Sequence, residues 1–464
     1  MKQLSTVFII IFFSLNSFSQ KLQVSQSQRY LETTNGKPFF WLGDTAWELF
    51  HKLNREEATE YLENRKAKGF TVIQAVVLAE NDGLRKPNSY GEVPLIDLDP
   101  TKPNEAYFKH VDFIVNEAEK LGLFIGMLPT WGDKIFSDYP GTGPIVFDKE
   151  NAFIYGEFLG KRYKDKPIVW ILGGDRNIAN NDVMEIWRAM AAGLKKGDNG
   201  NHLITFHPRG NSSSSKSLHN ESWLDFNMYQ SGHAFRFNDV YNYAKHDLSL
   251  QPAKPVVDGE PAYEDIAVKF WDYKIDYNKV LNSDGLIEDK SYYSNGFFTA
   301  YDVRVHAYWD FLAGACGYTY GNNAIWQMFH KGDNIAIPCL YDWRESMDRP
   351  GAFDMQHVRT ALEDKFYKIK SDESLFVNEV KPGENYLAAA GSTDNSFVLI
   401  YLAKGQPVKI KMSKLKANVT ASWFNPRNGF KKQFGVFRNS GITEFIPPSS
   451  GEGNDWLLIL ERGQ

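Results

Sequence analysis

The 464-residue chain carries only two cysteines, Cys316 and Cys339. Two thiols cannot frame a disulfide-stapled scaffold, and neither stands in a CxxC or Cys/His cluster that would suit zinc. One bridge or two buried thiols both remain open. Excess positive charge is missing as well: Lys+Arg number 52 against Asp+Glu 57, for a net charge of −5. Without a basic face or stripe, a general nucleic-acid binder is excluded. No apolar run reaches the ~18 residues that a membrane span needs. HxH and HExxH spacings are absent, so no metal is expected. Gly-x-Ser-x-Gly is absent too, which removes the usual serine-hydrolase signal. No Gly-rich phosphate loop follows the first strand, and no cofactor is expected.

Aromatic rings, by contrast, are abundant: Phe 33, Tyr 23 and Trp 12, or 15% of the chain. That content fits a bulky core or a ligand with flat faces. With 43% hydrophobic and 23% charged residues, the chain has material for a large core. Its length suggests two or three domains. At the N-terminus Lys2 precedes an apolar run from Val7 to Phe13, and Ser17 and Ser19 supply small residues. This pattern predicts a signal peptide over residues 1–19 and export to the periplasm or the exterior of a bacterial cell.

From residue 39 to residue 324, short apolar runs alternate with amphipathic stretches. PFFWLGD (38–44), FTVIQAVVLAE (70–80), LFIGMLPTW (123–131), IVWILGGD (168–175), HLITFHP (202–208), DFNMYQSG (225–232), KPVVDGE (254–260) and CGYTYGN (316–322) read as eight buried strands. Residues 54–69, 105–122 and 182–197 read as helices, the first opening on a capping-box pairing of Asn54 with Glu57. The pattern predicts a (β/α)₈ TIM barrel, in preference to an open doubly wound sheet. Asn35-Gly36 marks a hairpin ahead of it. After about residue 370 only strand signals and polar turns remain, which predicts a small C-terminal β-sandwich. The expected division is therefore 1–19, 20–368 and 369–464.

Catalytic groups of such barrels stand at the C-terminal ends of strands. Read there, the chain offers Asp44 and Trp47, then Glu80, then Trp131 and Asp133. Asp175 and Asn177 follow, then His207 and Arg209, then Tyr229, Gln230 and His233, then Glu260, with Trp326 beyond the last strand. Carboxylates, rings and hydrogen-bonding groups in this mixture suit a sugar. Asp175, after Gly173 and Gly174, and Glu260, before Pro261, end the fourth and seventh strands on roughly opposite sides of the mouth. Glycosidase chemistry needs one carboxyl group on each side of the scissile bond. Glu80, Asp133 and Asp258 are rival carboxylates. Trp47, Trp131 and Trp326 are candidate stacking rings, and Asp44, Asn177, His207, Arg209, Tyr229, Gln230 and His233 candidate sugar contacts.

The stretches FFWLGDTAWELF (39–50), GFTVIQAVVLAEND (69–82), VWILGGDRN (169–177), ITFHPRG (204–210), VVDGEPAYE (256–264) and YTYGNNAIWQ (318–327) resemble the apiosidase-like family of bacterial glycoside hydrolases. The tail with SWFNPRNG (422–429) resembles the collagen-binding-type β-sandwich that often follows that barrel. The resemblance implies a retaining hydrolase with Asp175 as acid/base and Glu260 as nucleophile. It implies an oligo- or polysaccharide substrate, with apiose, a branched pentose, or a similar terminal sugar removed from pectic side chains. Barrels of the broader retaining group usually show Asn-Glu at the strand-four site, where this chain has Gly-Asp. Alternatives are a glycosidase for another sugar, a non-catalytic carbohydrate-binding barrel, or an esterase or metal-dependent hydrolase acting on pectin decorations.

Overall fold

A computed structural model describes residues 20–137 and 143–463; the expected signal peptide lies outside them. All eight expected strands form. They are β1 (Trp41–Thr45), β2 (Val72–Leu78), β3 (Phe124–Thr130), β4 (Ile168–Gly173), β5 (Ile204–His207), β6 (Asn227–Gln230), β7 (Val256–Asp258) and β8 (Gly317–Tyr320). Every residue in them is buried, as strands packed on both faces must be, which is why they read as unbroken apolar runs. They pair in parallel in the order β5-β4-β3-β2-β1-β8-β7-β6, and the two-residue strand Ser212–Ser213 adds an antiparallel ninth beside β6. β5 and β6 close the ring: Ile204 N donates to Asp225 Oδ2 at 2.7 Å, and Thr205 Oγ1 to the Phe226 carbonyl at 2.7 Å. The protein is a (β/α)₈ barrel.

The expected helices are α1 (Arg55–Ala67), α2 (Glu105–Lys120) and α4 (Asn181–Asp198). The capping box before α1 is complete: Glu57 N donates to Asn54 Oδ1 at 2.9 Å and Asn54 N to Glu57 Oε2 at 3.1 Å. Among the described residues, four further helices of nine residues or more were not anticipated: α3 (Lys149–Tyr163), α5 (Tyr241–Ser249), α6 (Ala300–Ala313) and α7 (Pro350–Leu362). α6 shows why. From Tyr301 to Ala313 every residue is buried, so it has no polar stripe to give a helical period.

α6 is buried because a second domain covers it. Strands β9 (Ile369–Ser371), β10 (Leu387–Ser392), β11 (Phe397–Leu402), β12 (Val408–Lys411), β13 (Val419–Phe424), β14 (Lys431–Phe437), β15 (Ile442–Phe445) and β16 (Trp456–Arg462) make two antiparallel sheets. Their orders are β9-β10-β11-β16-β13-β14 and β12-β15. Ile400, Leu402, Ile410, Phe445 and Leu458 fill the space between them, giving the expected β-sandwich. Against α6, Tyr308 stacks on Tyr401 with ring centroids 4.5 Å apart, and Arg304 reaches Asp455 through two bonds of 2.8 and 2.7 Å. Cys316 and Cys339 are free, buried thiols.

Candidate active site

The two carboxylates singled out at the strand ends meet at the barrel mouth, each delivered by a turn the local sequence dictates. After β4 the chain passes through three consecutive left-handed residues: Gly173 (φ 90°), Gly174 (φ 106°) and Asp175 (φ 52°). A Cβ at Gly173 would stand 2.2 Å from the His207 carbonyl oxygen, so only glycine fits. Gly174 N donates to His207 O at 3.0 Å while Gly132 N donates to Gly174 O at 3.1 Å, so β3 and β5 grip the strand up to the turn. Asp175 then swings out with its side chain a third exposed. Burial and the neighbouring charge of Glu260 push its carboxyl up to about 6, against the opposing pull of His207, Arg176 and Arg209.

Glu260 is held differently. The peptide that precedes it is gripped at both poles. Gln74 Nε2, reaching from β2, donates to the Gly259 carbonyl at 2.8 Å, and Glu260 N donates to Asp258 Oδ1 at 3.2 Å. Its carboxylate meets two histidines: His233 Nε2 lies 3.0 Å from Oε1 and His207 Nε2 3.0 Å from Oε2. Tyr263 N donates to His233 Nδ1 at 3.4 Å, which leaves the His233 proton on Nε2, facing the carboxylate. Burial raises the Glu260 carboxyl, but the two imidazoles outweigh it and hold the group at about 2. Trp47 lies edge-on to His207 at 5.4 Å, packs 5.4 Å from Trp131, and donates through Nε1 to the Tyr263 hydroxyl at 3.1 Å. Burial, followed by the Glu260 charge, holds the Tyr263 phenol well above its ordinary range.

Around this pair stand Asn177, whose Oδ1 accepts from Arg209 N at 3.3 Å, and Arg209, whose charge reaches Asp175. Gln230 is buried on β6. Other expected sugar contacts need correction. Asp44 is fully buried and points into the helix layer, where Arg65 Nε of α1 lies 2.6 Å from it and Tyr61 donates to it. Tyr229 likewise faces the helices: its hydroxyl donates to Asp310 Oδ1 of α6 at 2.7 Å and its ring stacks on Tyr243 of α5. Neither can touch a sugar in the mouth. The three candidate stacking rings, Trp47, Trp131 and Trp326, offer almost no surface at 2%, 5% and 5% exposure, and Trp326 ties its indole to Asn323 Oδ1 at 3.2 Å.

Among the rivals, Asp133 is buried with its Oδ1 2.7 Å from Lys134 Nζ. Glu80 belongs to the same electrostatic neighbourhood as Asp175 and Glu260, and burial, then the Glu48 charge, raises it. Asp258 turns away from the mouth toward Ser231 and Asp310. Sequence inspection missed Gln74, Tyr263 and Asp310. A lone glutamine inside VIQAVVL was a usable signal, because a buried amide must find a partner. Among the described residues no group of His, Cys, Asp and Glu could hold a metal ion, and no helix is long and apolar enough to cross a membrane.

The family model for the apiosidase-like catalytic domain matches residues 25–368, and that described as "Putative collagen-binding domain of a collagenase" matches residues 371–461. A solved structure named glycoside hydrolase is 32% identical, with a TM-score of 0.82 over 96% of this chain and 97% of its own. A glycoside hydrolase family 5 protein from Bacteroides vulgatus is 30% identical, with a TM-score of 0.82 over 95% of this chain and 93% of its own. No curated protein matches.

Proposed function

The chain belongs to the apiosidase-like family of glycoside hydrolases, and from that premise we propose that it is a retaining, exo-acting enzyme that removes apiose or a similar terminal pentose from pectic side chains. One observation carries the assignment of roles. The two carboxyls at the mouth are driven apart, Asp175 up to about 6 and Glu260 down to about 2. In weakly acidic solution the first holds its proton and the second is ionised, which is the division of labour that glycoside hydrolysis requires.

Asp175 donates its proton to the glycosidic oxygen as the C1–O bond breaks, and a Glu260 oxygen bonds to C1 to give a glycosyl ester. Asp175, now a carboxylate, takes a proton from water while that water's oxygen bonds to C1 and frees Glu260. The sum is one glycosidic bond hydrolysed, both residues restored. His207 and His233 hold the Glu260 oxygens in place. Asn177, Arg209 and Gln230 supply contacts for sugar hydroxyls. Aspartate at the acid position, one methylene shorter than glutamate, supports a compact or branched sugar. Residues 20–368 form the catalytic unit and 369–464 the accessory one. The N-terminal pattern of Lys2 and the run from Val7 to Phe13 supports action outside the cytoplasm, with Gln20 as the first residue of the mature chain.

The test is to incubate the protein with branched pectin, identify the released sugar, and follow its first-formed anomer by NMR. Release of a terminal pentose with retained configuration is expected, and Glu260→Gln abolishes it. Inversion would make Glu260 a general base instead. Full activity of Glu260→Gln would overturn the site.

A further inference from the structure

A cavity of about 440 Å³ opens in the β-sandwich, on the accessory domain rather than the barrel. Its lining includes Lys370 at β9, Lys414 and Lys416 after β12, and Arg462 at the end of β16. Cations nearby have partners: Lys368 lies 2.8 Å from Asp394 and Lys431 2.7 Å from Glu461. None of the four lining cations has an ion-pair partner among the described residues. The one acid in the wall, Asp372, is engaged by its own turn, where it accepts from Ser374 N at 3.1 Å. Four like charges gathered round one concavity repel each other, and in a chain of net charge −5 this local excess is relieved by an anionic occupant.

The rest of the lining narrows the occupant. Thr393, Asn395 and Ser396 offer hydrogen-bonding groups, while the partly exposed Val398 and Ala417 give an apolar part. Hydroxyl partners, apolar contact for C–H faces and cations for carboxylates together fit a charged sugar better than an inorganic anion. The size falls within the ordinary range for ligand sites, about 300–1,000 Å³.

Its position keeps the mouth free. Ala403 after β11 and Asp455 before β16 dock near the start of α6, at Tyr301 and Arg304. The cavity lies at the opposite ends of those strands, at Phe397 and Arg462. We propose that this cavity binds uronate residues of an acidic polysaccharide and tethers the enzyme to the polymer whose side chains the barrel trims. The polymer's identity as pectic rests on the proposed function; the binding itself does not.

The experiment uses the full chain carrying Glu260→Gln, so that binding is read without turnover. It is titrated with polygalacturonate, with its fully methyl-esterified form, and with a triple-helical collagen peptide. Polygalacturonate is expected to bind, to weaken as salt rises, and to exceed the uncharged ester. Lys414→Glu with Lys416→Glu and Arg462→Glu is expected to lower that affinity at least about tenfold. These side chains are exposed, so the melting temperature stays put, and pentose release by the variant in the active background from a short neutral oligosaccharide, which needs no tether, is unchanged. Absent binding, equal binding of the ester, an unaffected triple variant, or binding of the collagen peptide in place of polygalacturonate would each overturn the assignment. Loss of pentose release with intact binding would instead overturn the proposed function alone.

Discussion

At the residue scale, the proposed mechanism rests on two acids with opposite environments, and the histidines beside Glu260 make the difference. Removing one donor should therefore be visible in the pH profile. His233→Ala leaves burial acting against a single imidazole, so the Glu260 carboxyl rises from about 2. The acid limb of kcat/KM against pH is expected to move upward by roughly a unit or more. The alkaline limb, set by Asp175 at about 6, should hold nearly still. An acid limb that did not move would mean that His233 does not tune Glu260. The strand-end positions of Asp175 and Glu260 were legible in the sequence, since an acid that ends an apolar run has few places to go but the barrel rim. Asp44 and Tyr229 ended similar runs yet turned outward. Strand residues alternate between the two faces of the sheet, and where both faces are buried the apolar pattern does not reveal the phase.

At the scale of elements, the ends of β4 and β7 are shaped by contacts that leave little slack. Gly173→Ala would drive a methyl group into the His207 carbonyl at a left-handed position. It is expected to cost about 1–3 kcal/mol and to depress activity further, because Asp175 hangs from the same turn; thermal unfolding and kcat check both. The floor beneath Glu260 is a second device. Asp258 accepts from the Glu260 N–H at 3.2 Å and from Ser231 Oγ at 2.6 Å, and lies against Asp310 of α6. Burial pushes Asp258 up to about 7, and burial together with the Asp258 charge raises Asp310 well above the ordinary carboxyl range. The folded-state values lie above an unfolded carboxyl near 3.9, so the stability of the pair is complete below that pH and drains as pH rises through about 7. Tyr229, Tyr243 and Tyr318 lie near it, and the largest influences on the pair are burial, its own mutual charge and hydrogen bonds from Ser231, Tyr229 and the Glu260 N–H. Asp310→Asn keeps a donor that cannot ionise. Its melting temperature is expected to fall less than the wild type's between pH 5 and pH 8.

At the scale of the whole molecule, the barrel and the sandwich share α6 as a common wall. Arg304, in its first turns and 4% exposed, is bound to Asp455 of one domain and to Asp354 of α7 in the other. Truncating one member of a buried charge network strands the others. Arg304→Ala should therefore cost about 3–5 kcal/mol. Differential scanning calorimetry checks this: a lower transition, or one that splits in two, is expected. An unchanged single transition would mean that the domains do not stabilise each other through this network.

The order of the strands, the barrel they close and the sandwich after it were determined by the sequence alone. A parallel strand buried on both faces must be apolar along its length, and an acid at its end must find water or a partner. Only the tertiary structure decided which acids face the mouth, that Gln74 crosses the barrel to Gly259, and that α6 is a helix at all. Each of these depends on residues far apart in the chain being brought into contact. Burial on every side erases the periodicity from which a helix or a face could have been read.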